Sequence, residues 1–483
     1  MKKITILMIL AFSVFSCDEI LKEVPKDRIS ETNFYKTVSD GRAAVDAIYG
    51  VLSAGQLFAH QYLLQIEIPA DYAYGRGSTM PIGGEYTGLD AVNQRRVGLM
   101  WDYFYQAINY ANIVIEKIPE IDGDQSSKTE LIAEAKFLRA LCYYHLVRDF
   151  GAVPLRLNST DGDMARTSVS KVYEAIINDL KDAESGLPSS IAAYGRPSIW
   201  GAKIMFAEVY LTLGDWANAR DKAKEVMNSG AHSLVQVTEL NDWDNLFGPT
   251  VNGTSEEIFS IKYNAAYGWS WPFYLAWKSD VRSAYGAYVL YSDGTNPFIV
   301  NWDDKDLRKQ WGVFTTFVDK NTGEVNTLEF PPMCFAKFRD PSAPGARASG
   351  NDFPMWRYAD ALLIYAEAAS QAEGGPSAAA IEALNQVKRR GYGYPSNSVS
   401  EIDYSTSGWT AESFRDVVLQ ERAYEFISEG KRWKDLKRSG KAKEKILENL
   451  GKVVADRYML WPIPQWEIDA NKEMSQADQN SGY

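Results

Sequence analysis

Residues 196–230, RPSIWGAKIMFAEVYLTLGDWANARDKAKEVMNSG, decide the fold class. In the first half Ala202, Met205, Phe206, Val209 and Leu213 recur at helical spacing and mark one apolar stripe. Gly214 suits the left-handed conformation that closes a helix, and Asp215 can cap the next one. The second half repeats the spacing with Trp216, Ala219, Ala223, Val226 and Met227. Small residues at Ala207, Ala219 and Ala223 let two antiparallel helices approach closely, with Tyr210 and Trp216 filling the gaps. The stretch therefore predicts a helical hairpin that cannot bury its own stripe and needs similar neighbours.

Such a hairpin, with its small residues, Tyr and Leu-Gly turn, resembles a tetratricopeptide repeat. Degenerate counterparts lie on both sides. Helical spacing predicts helices over about 40–52, 99–118, 128–150 and 169–187, then over 356–373, 376–390 and a last long one from 411 to about 439. Between 56 and 96 the period disappears; DYAYGRGSTMPIGGEYTG (71–88) reads as part of a long ordered loop. From 235 onward, β-prone runs at 258–263, 313–318 and 333–338 alternate with turns. The expected fold class is mostly α: a tetratricopeptide-like helical-repeat scaffold of about four helix pairs with a large irregular insertion of short strands and loops. The expected division is a leader over 1–16, a helical region over 17–234, an aromatic-rich insertion over 235–355, and a helical region with an extended tail over 356–483.

With 46% hydrophobic and 24% charged residues, the 483-residue chain has the composition of a globular protein. A net charge of −12 argues against a nucleic-acid partner. Lys2 and Lys3 precede an apolar run from Ile4 to Val14 that is too short to span a bilayer and stops before Cys17. That order looks like a bacterial lipoprotein signal, with Cys17 as the acylated residue and the lipid as a tether to a membrane surface. Phe15 is bulkier than that signal usually carries. Cys142, on a helical stripe with Leu138 and Leu141, reads as a core residue, and no disulfide framework or metal-ligand spacing is present.

Signatures of catalysis are missing. Gly268-Trp269-Ser270-Trp271 lacks the closing Gly of a nucleophile elbow, and Gly430-Lys431 has Glu425 where a phosphate loop needs its first Gly. No cofactor is expected. Arg422, Glu425, Glu429 and Arg432 stand three or four apart, as ion pairs along and between helices do. Trp302-Asp303-Asp304 and Asp161-Gly162-Asp163 could touch calcium, but neither has the full loop pattern, and both read as solvated turns.

Across nearly its whole length the sequence resembles the SusD/RagB-like outer-membrane lipoproteins. The resemblance rests on Cys17 followed by Pro25, Asp27, Ile29 and Phe34, then on Trp101, Tyr105, Ile108, Ala111-Asn112 and Glu134-Ala135-Leu138-Arg139-Ala140. It sharpens in Tyr365-Ala366-Glu367-Ala368, Asn385-Gln386-Val387, Glu421-Arg422-Glu425-Phe426 and Glu429-Gly430-Lys431-Arg432-Trp433-Asp435-Leu436. Most specific is the ending, Leu460-Trp461-Pro462-Ile463-Pro464, Glu467-Ile468 and Gln479-Asn480-Gly482-Tyr483, where Ser481 replaces the usual Pro. Membership implies a lipid-anchored binding protein at the exterior of a Gram-negative outer membrane. Its partner would be a SusC-like TonB-dependent transporter that imports captured oligosaccharides or other nutrients. A surface glycoside hydrolase and a scaffold that binds only protein are the alternatives.

The family's sites vary, so the ligand site is sought from composition and position. Six of the fourteen Trp (243, 269, 271, 277, 302, 311) fall within 243–317, where an even spread predicts about two. Aromatic faces suit the flat C–H faces of sugars, although such rings can equally fill a core. The expected site lies where the 71–96 loop meets the insertion. Trp269 and Trp271, alternating with Ser270, form the expected two-ring platform; Tyr72, Tyr74 and Tyr291 add stacking, and Arg76, Asn93 and Asp293 add polar partners.

Overall fold

Ser198, Gly214 and Asp215 set the ends of two helices in the 196–230 stretch. The Ser198 hydroxyl accepts from the Trp200 backbone N–H (3.2 Å), Gly214 turns left-handed at φ 73°, and Asp215 accepts from Asn218 N–H (3.3 Å). Ala202, Met205, Phe206 and Val209 are buried as their spacing requires. Leu213, at the helix end, instead faces solvent. The computed structural model describes residues 34–77, 81–191, 193–266, 268 and 270–483; Cys17 and Trp269 lie outside the described residues.

Along the chain come α1 (Val38–Leu52), α2 (Gln61–Glu67), β1 (Tyr74–Gly75), α3 (Ala91–Lys117), α4 (Gln125–Phe150), α5 (Val169–Gly186), α6 (Ile199–Leu213) and α7 (Trp216–Met227). The insertion then supplies α8 (Asp244–Phe247), β2 (Glu257–Ile261), α9 (Trp271–Leu275), β3 (Leu290–Tyr291), α10 (Pro297–Val300), α11 (Leu307–Gly312), β4 (Val313–Phe314), β5 (Thr316–Val318), β6 (Val325–Thr327), β7 (Cys334–Phe335) and β8 (Phe353–Arg357). Helices resume with α12 (Tyr358–Glu373), α13 (Ala378–Gly391), α14 (Ala411–Glu425), α15 (Arg432–Arg438), α16 (Ala442–Leu450) and α17 (Gln465–Ala470).

Helices α3 to α7 pack each on the next, and α7 packs directly on α12, which continues to α13 and α14. The insertion is thus looped out of one continuous helical array. This is the mostly helical, tetratricopeptide-like scaffold that the periodicity predicts, and the small residues Ala219 and Ala223 are fully buried where α7 meets its neighbours. Strands occur only as two-stranded antiparallel pairs among the described residues: β1 with β3, β2 with β8, β4 with β7 and β5 with β6.

Two expectations need correction. The loop over 56–96 contains α2, and α3 starts at Ala91. The long helix expected from 411 to 439 is broken between Glu425 and Arg432, where Ser428 and Gly430 take left-handed backbones (φ 63° and 71°). The freed N–H groups of Ser428 and Gly430 donate to the buried Glu67 carboxylate (3.1 and 2.7 Å), so a partner distant in sequence stabilises the break.

Arg422, Glu425, Glu429 and Arg432 do form ion pairs, but between elements: none of the pairs runs along one helix among these four residues. Glu425 meets Arg357 (3.0 Å), Arg390 (2.6 Å) and Arg308 (3.1 Å), Glu429 meets Arg357 (2.8 Å) and Lys337, and Arg432 meets Asp71 (2.6 Å). Arg308 and Lys337 belong to the insertion, so this buried network fastens it to α13 and α14. Asp303 accepts from Lys305 N–H and the Tyr392 hydroxyl, and Asp161 from Leu157 and Asn158 N–H: both segments are turns.

Candidate functional site

The loop after α2 and the insertion meet at the β1–β3 ladder, where Tyr74 pairs with Tyr291 and Gly75 with Leu290. Paired residues on one face of an antiparallel ladder bring their side chains together. The Tyr74 and Tyr291 rings accordingly stack, with centroids 5.5 Å apart and planes 28° apart. Phe330, an exposed ring, meets Tyr291 edge-on at 5.5 Å. Both tyrosines are half-buried, so each keeps part of a face toward solvent.

Arg76 extends the ladder by one bond, donating its backbone N–H to the Val289 carbonyl (2.7 Å). Its exposed guanidinium lies 4.2 Å from the Tyr288 ring centroid, and Nη1 donates to the Ala287 carbonyl (3.2 Å). Tyr288 holds φ 27° and packs against the half-buried Trp277 at 5.0 Å. Such left-handed backbone at a bulky residue costs on the order of 1–3 kcal/mol and needs surroundings that hold it. They include a small apolar cluster separate from the main core, formed by Tyr288, Phe314, Phe317, Leu328, Cys334 and Ala336.

Asp293 closes the patch. Its carboxylate accepts from Thr295 N–H (2.8 Å), the Thr295 hydroxyl (2.6 Å) and Asn296 N–H (2.9 Å). Burial pushes this carboxyl up, but those donors and the Tyr74 hydroxyl outweigh it and hold it below the ordinary range. Asn296 donates in turn to the Asp71 carbonyl (3.2 Å), so the turn after β3 is bolted to the loop that carries Tyr74. The result is a half-exposed aromatic surface with a cation on one side and a fixed carboxylate on the other.

Tyr74, Arg76, Tyr291 and Asp293 are thus brought together. Three other expected site residues are not. Trp271 is fully buried and its indole N–H donates to the Ser428 carbonyl (3.2 Å). Two rings two residues apart point the same way only from an extended segment, but Ser270 has helical backbone and Trp271 begins α9, so its ring turns into the core. Tyr72 is 1% exposed, with its hydroxyl on Glu67, and Asn93, also 1% exposed, receives Gln65 and Arg96 donors. Trp243, Trp302 and Trp311 are core as well, so most of the tryptophan enrichment is packing. Sequence reasoning missed Tyr288, Trp277 and Phe330 as companions of Tyr291. The sequence offers only Phe330 before Pro331 in a turn-like stretch; the exposure of that ring is a product of the fold.

Two family models match the chain: one described as the SusD family over residues 304–483, and one described as starch-binding associating with outer membrane over residues 80–211. The SusD-like protein P2 of Formosa agariphila is 28% identical, in an alignment spanning 100% of this chain and 99% of the relative. The starch-binding protein SusD of Bacteroides thetaiotaomicron is 23% identical over 73% of this chain and 72% of its own. Among solved structures, a SusD homologue from Bacteroides thetaiotaomicron superimposes with a TM-score of 0.81 at 24% identity, covering 94% of this chain and 99% of that one.

Proposed function

We propose, from the premise that the chain belongs to the SusD/RagB-like family, that it is a glycan-binding protein whose site is the patch around Tyr74 and Tyr291. The observation that carries this reading is the convergence of two segments far apart in sequence on one stacked, half-exposed ring pair flanked by Arg76 and Asp293. Stacked rings offer faces for the C–H surfaces of pyranose rings, and a guanidinium and a carboxylate offer donors and acceptors to hydroxyls. The starch-binding name of one relative supports the ligand class. Trp269, between Gly268 and Ser270, is a further stacking candidate.

A binding role without turnover fits the carboxylate of the patch. Asp293 is engaged by its own turn and held ionised, whereas a glycosidase needs a second carboxyl opposite the first and one of the pair kept protonated. Calorimetry of the purified protein against a panel of soluble oligosaccharides tests the proposal: one glycan class binds saturably, and reducing ends do not accumulate on prolonged incubation. Binding of no glycan overturns it.

Acylation at Cys17 would hold the protein on the outer membrane, facing the exterior, and a SusC-like TonB-dependent transporter would receive the captured oligosaccharide. The name of the family model that matches residues 80–211 supports the membrane association. Labelled palmitate should follow the wild-type chain and not Cys17→Ser, and mild detergent extraction should recover a large β-barrel partner with it.

A further inference from the structure

A well-formed cavity lies away from β1 and β3, between α4 and α6 on one side and the α14–α15 break on the other. It is a cavity of about 320 Å³. Six cationic side chains line it: Arg148, Arg422, Lys431, Lys434, Lys437 and Arg438. The acids among its lining are Glu208, Glu429 and Asp435, and Glu429 is already engaged by Arg357 and Lys337. Arg148 pairs with Glu208 (3.1 Å), Lys431 with Asp360 (2.5 Å) and Arg438 with Glu367 (2.6 Å), which Arg415 shares. Behind the wall, Asp149 alone serves both Lys434 and Lys437 (3.7 Å to the latter), and Asp435 serves both Arg422 and Arg438 at 2.8 Å each. The cations left short of carboxylate are Lys434 and Lys437, which share Asp149, and Arg422, which shares Asp435 with Arg438.

Two further observations point the same way. Arg422 is 3% exposed and its Nη1 has no hydrogen-bond partner; the same is true of Nε2 on His145, which also lines the cavity. A buried guanidinium donor left unpaired is costly unless something else occupies it. Burial, followed by neighbouring cations, holds the Lys434 and Lys437 ammonium groups below the ordinary lysine range, and a counterion beside them would relieve that crowding. Arg148, Glu208, Thr212, Lys437 and Leu460 are only half-buried, so the cavity has a mouth on the surface.

We propose that this cavity binds a small oxyanion, a sulfate, phosphate or carboxylate group, held by Lys437, Arg148 and Arg422. Arginine forks and lysine ammonium groups suit such an anion because charge-assisted bonds to it are roughly twice as strong as neutral ones. The group can come as a free inorganic ion or as the acid of a monosaccharide.

Titration calorimetry and thermal melting of the purified protein with sodium sulfate, sodium phosphate or sodium glucuronate, each against sodium chloride at matched ionic strength, test the site. Saturable binding of at least one is expected. At about a hundredfold excess over Kd, the thermal midpoint should rise by several degrees. Binding of sulfate or phosphate assigns the site to a free ion; binding of glucuronate alone assigns it to a sugar acid. Lys437→Met should weaken binding about tenfold or more. Should that variant melt early in chloride, Thr212→Phe, which narrows the mouth and removes no charge, should weaken it instead. Equal behaviour of all three anions and chloride overturns the proposal, as does undiminished binding in both variants.

Discussion

Replacing Tyr291 by Ala removes one ring of the stacked pair and leaves the β1–β3 backbone ladder in place. A lost stacking contact costs about 1 kcal/mol, roughly a fivefold weakening of glycan affinity. Tyr291→Ala and Tyr74→Ala should each show that loss in calorimetry with little change in melting temperature. Unchanged affinity in the double variant would place the ligand elsewhere. Trp271→Ala should do the reverse. It empties a fully buried site and abandons the Ser428 carbonyl, at a cost of about 3–5 kcal/mol, read as a large drop in the denaturation midpoint.

At the scale of elements, α14 and α15 hold the molecule together through buried charge. Burial would push the carboxyls of Glu425, Glu367 and Asp435 up, but Arg390 and Arg357 at Glu425, Arg438 and Arg415 at Glu367, and Arg422 and Arg438 at Asp435 hold all three below the ordinary range. A depressed folded-state value means stability that is fully present above the unfolded value, near 4, and lost as pH falls through the folded one. Melting temperature should therefore be insensitive to these groups above about pH 5 and fall steeply below about pH 4 in melts over pH 2–6. Glu425→Gln leaves Arg357, Arg390 and Arg308 without their shared charge; it should destabilise by about 3–5 kcal/mol and make the acid limb shallower.

Over the whole molecule, the C-terminal segment closes the fold. Asn480 donates to the Phe150 and Trp461 carbonyls (2.8 and 2.6 Å) and accepts from Arg166 (2.7 Å). The Tyr483 hydroxyl accepts from Leu89 N–H (3.3 Å), and Tyr458 donates to the Gly83 carbonyl. The tail thereby clamps the second half of the loop that begins with the candidate site. A chain ending at Asp478 should melt earlier and be cut faster by protease within residues 81–90. An unaltered cleavage pattern would show that Tyr458 and Lys452, which donates to the Gly84 carbonyl, suffice to hold the loop.

The sequence by itself determined the helical scaffold, because helical spacing and capping are local: the stripe of α6, the left-handed Gly214 and the Asp215 cap are all contained in 35 consecutive residues, 196–230. It also pointed to the meeting of loop and insertion, through Tyr74, Arg76, Tyr291 and Asp293. Only the tertiary structure separated surface rings from core rings. Trp271 and Tyr291 have the same composition signal, and what distinguishes them is which neighbours cover each one. The break after Glu425 was equally illegible, since helical spacing runs through it and its stabilising carboxylate, Glu67, lies 361 residues away from Ser428. The cation-lined cavity belongs to the same class, because charge balance in a closed space depends on partners that only folding brings within reach of one another.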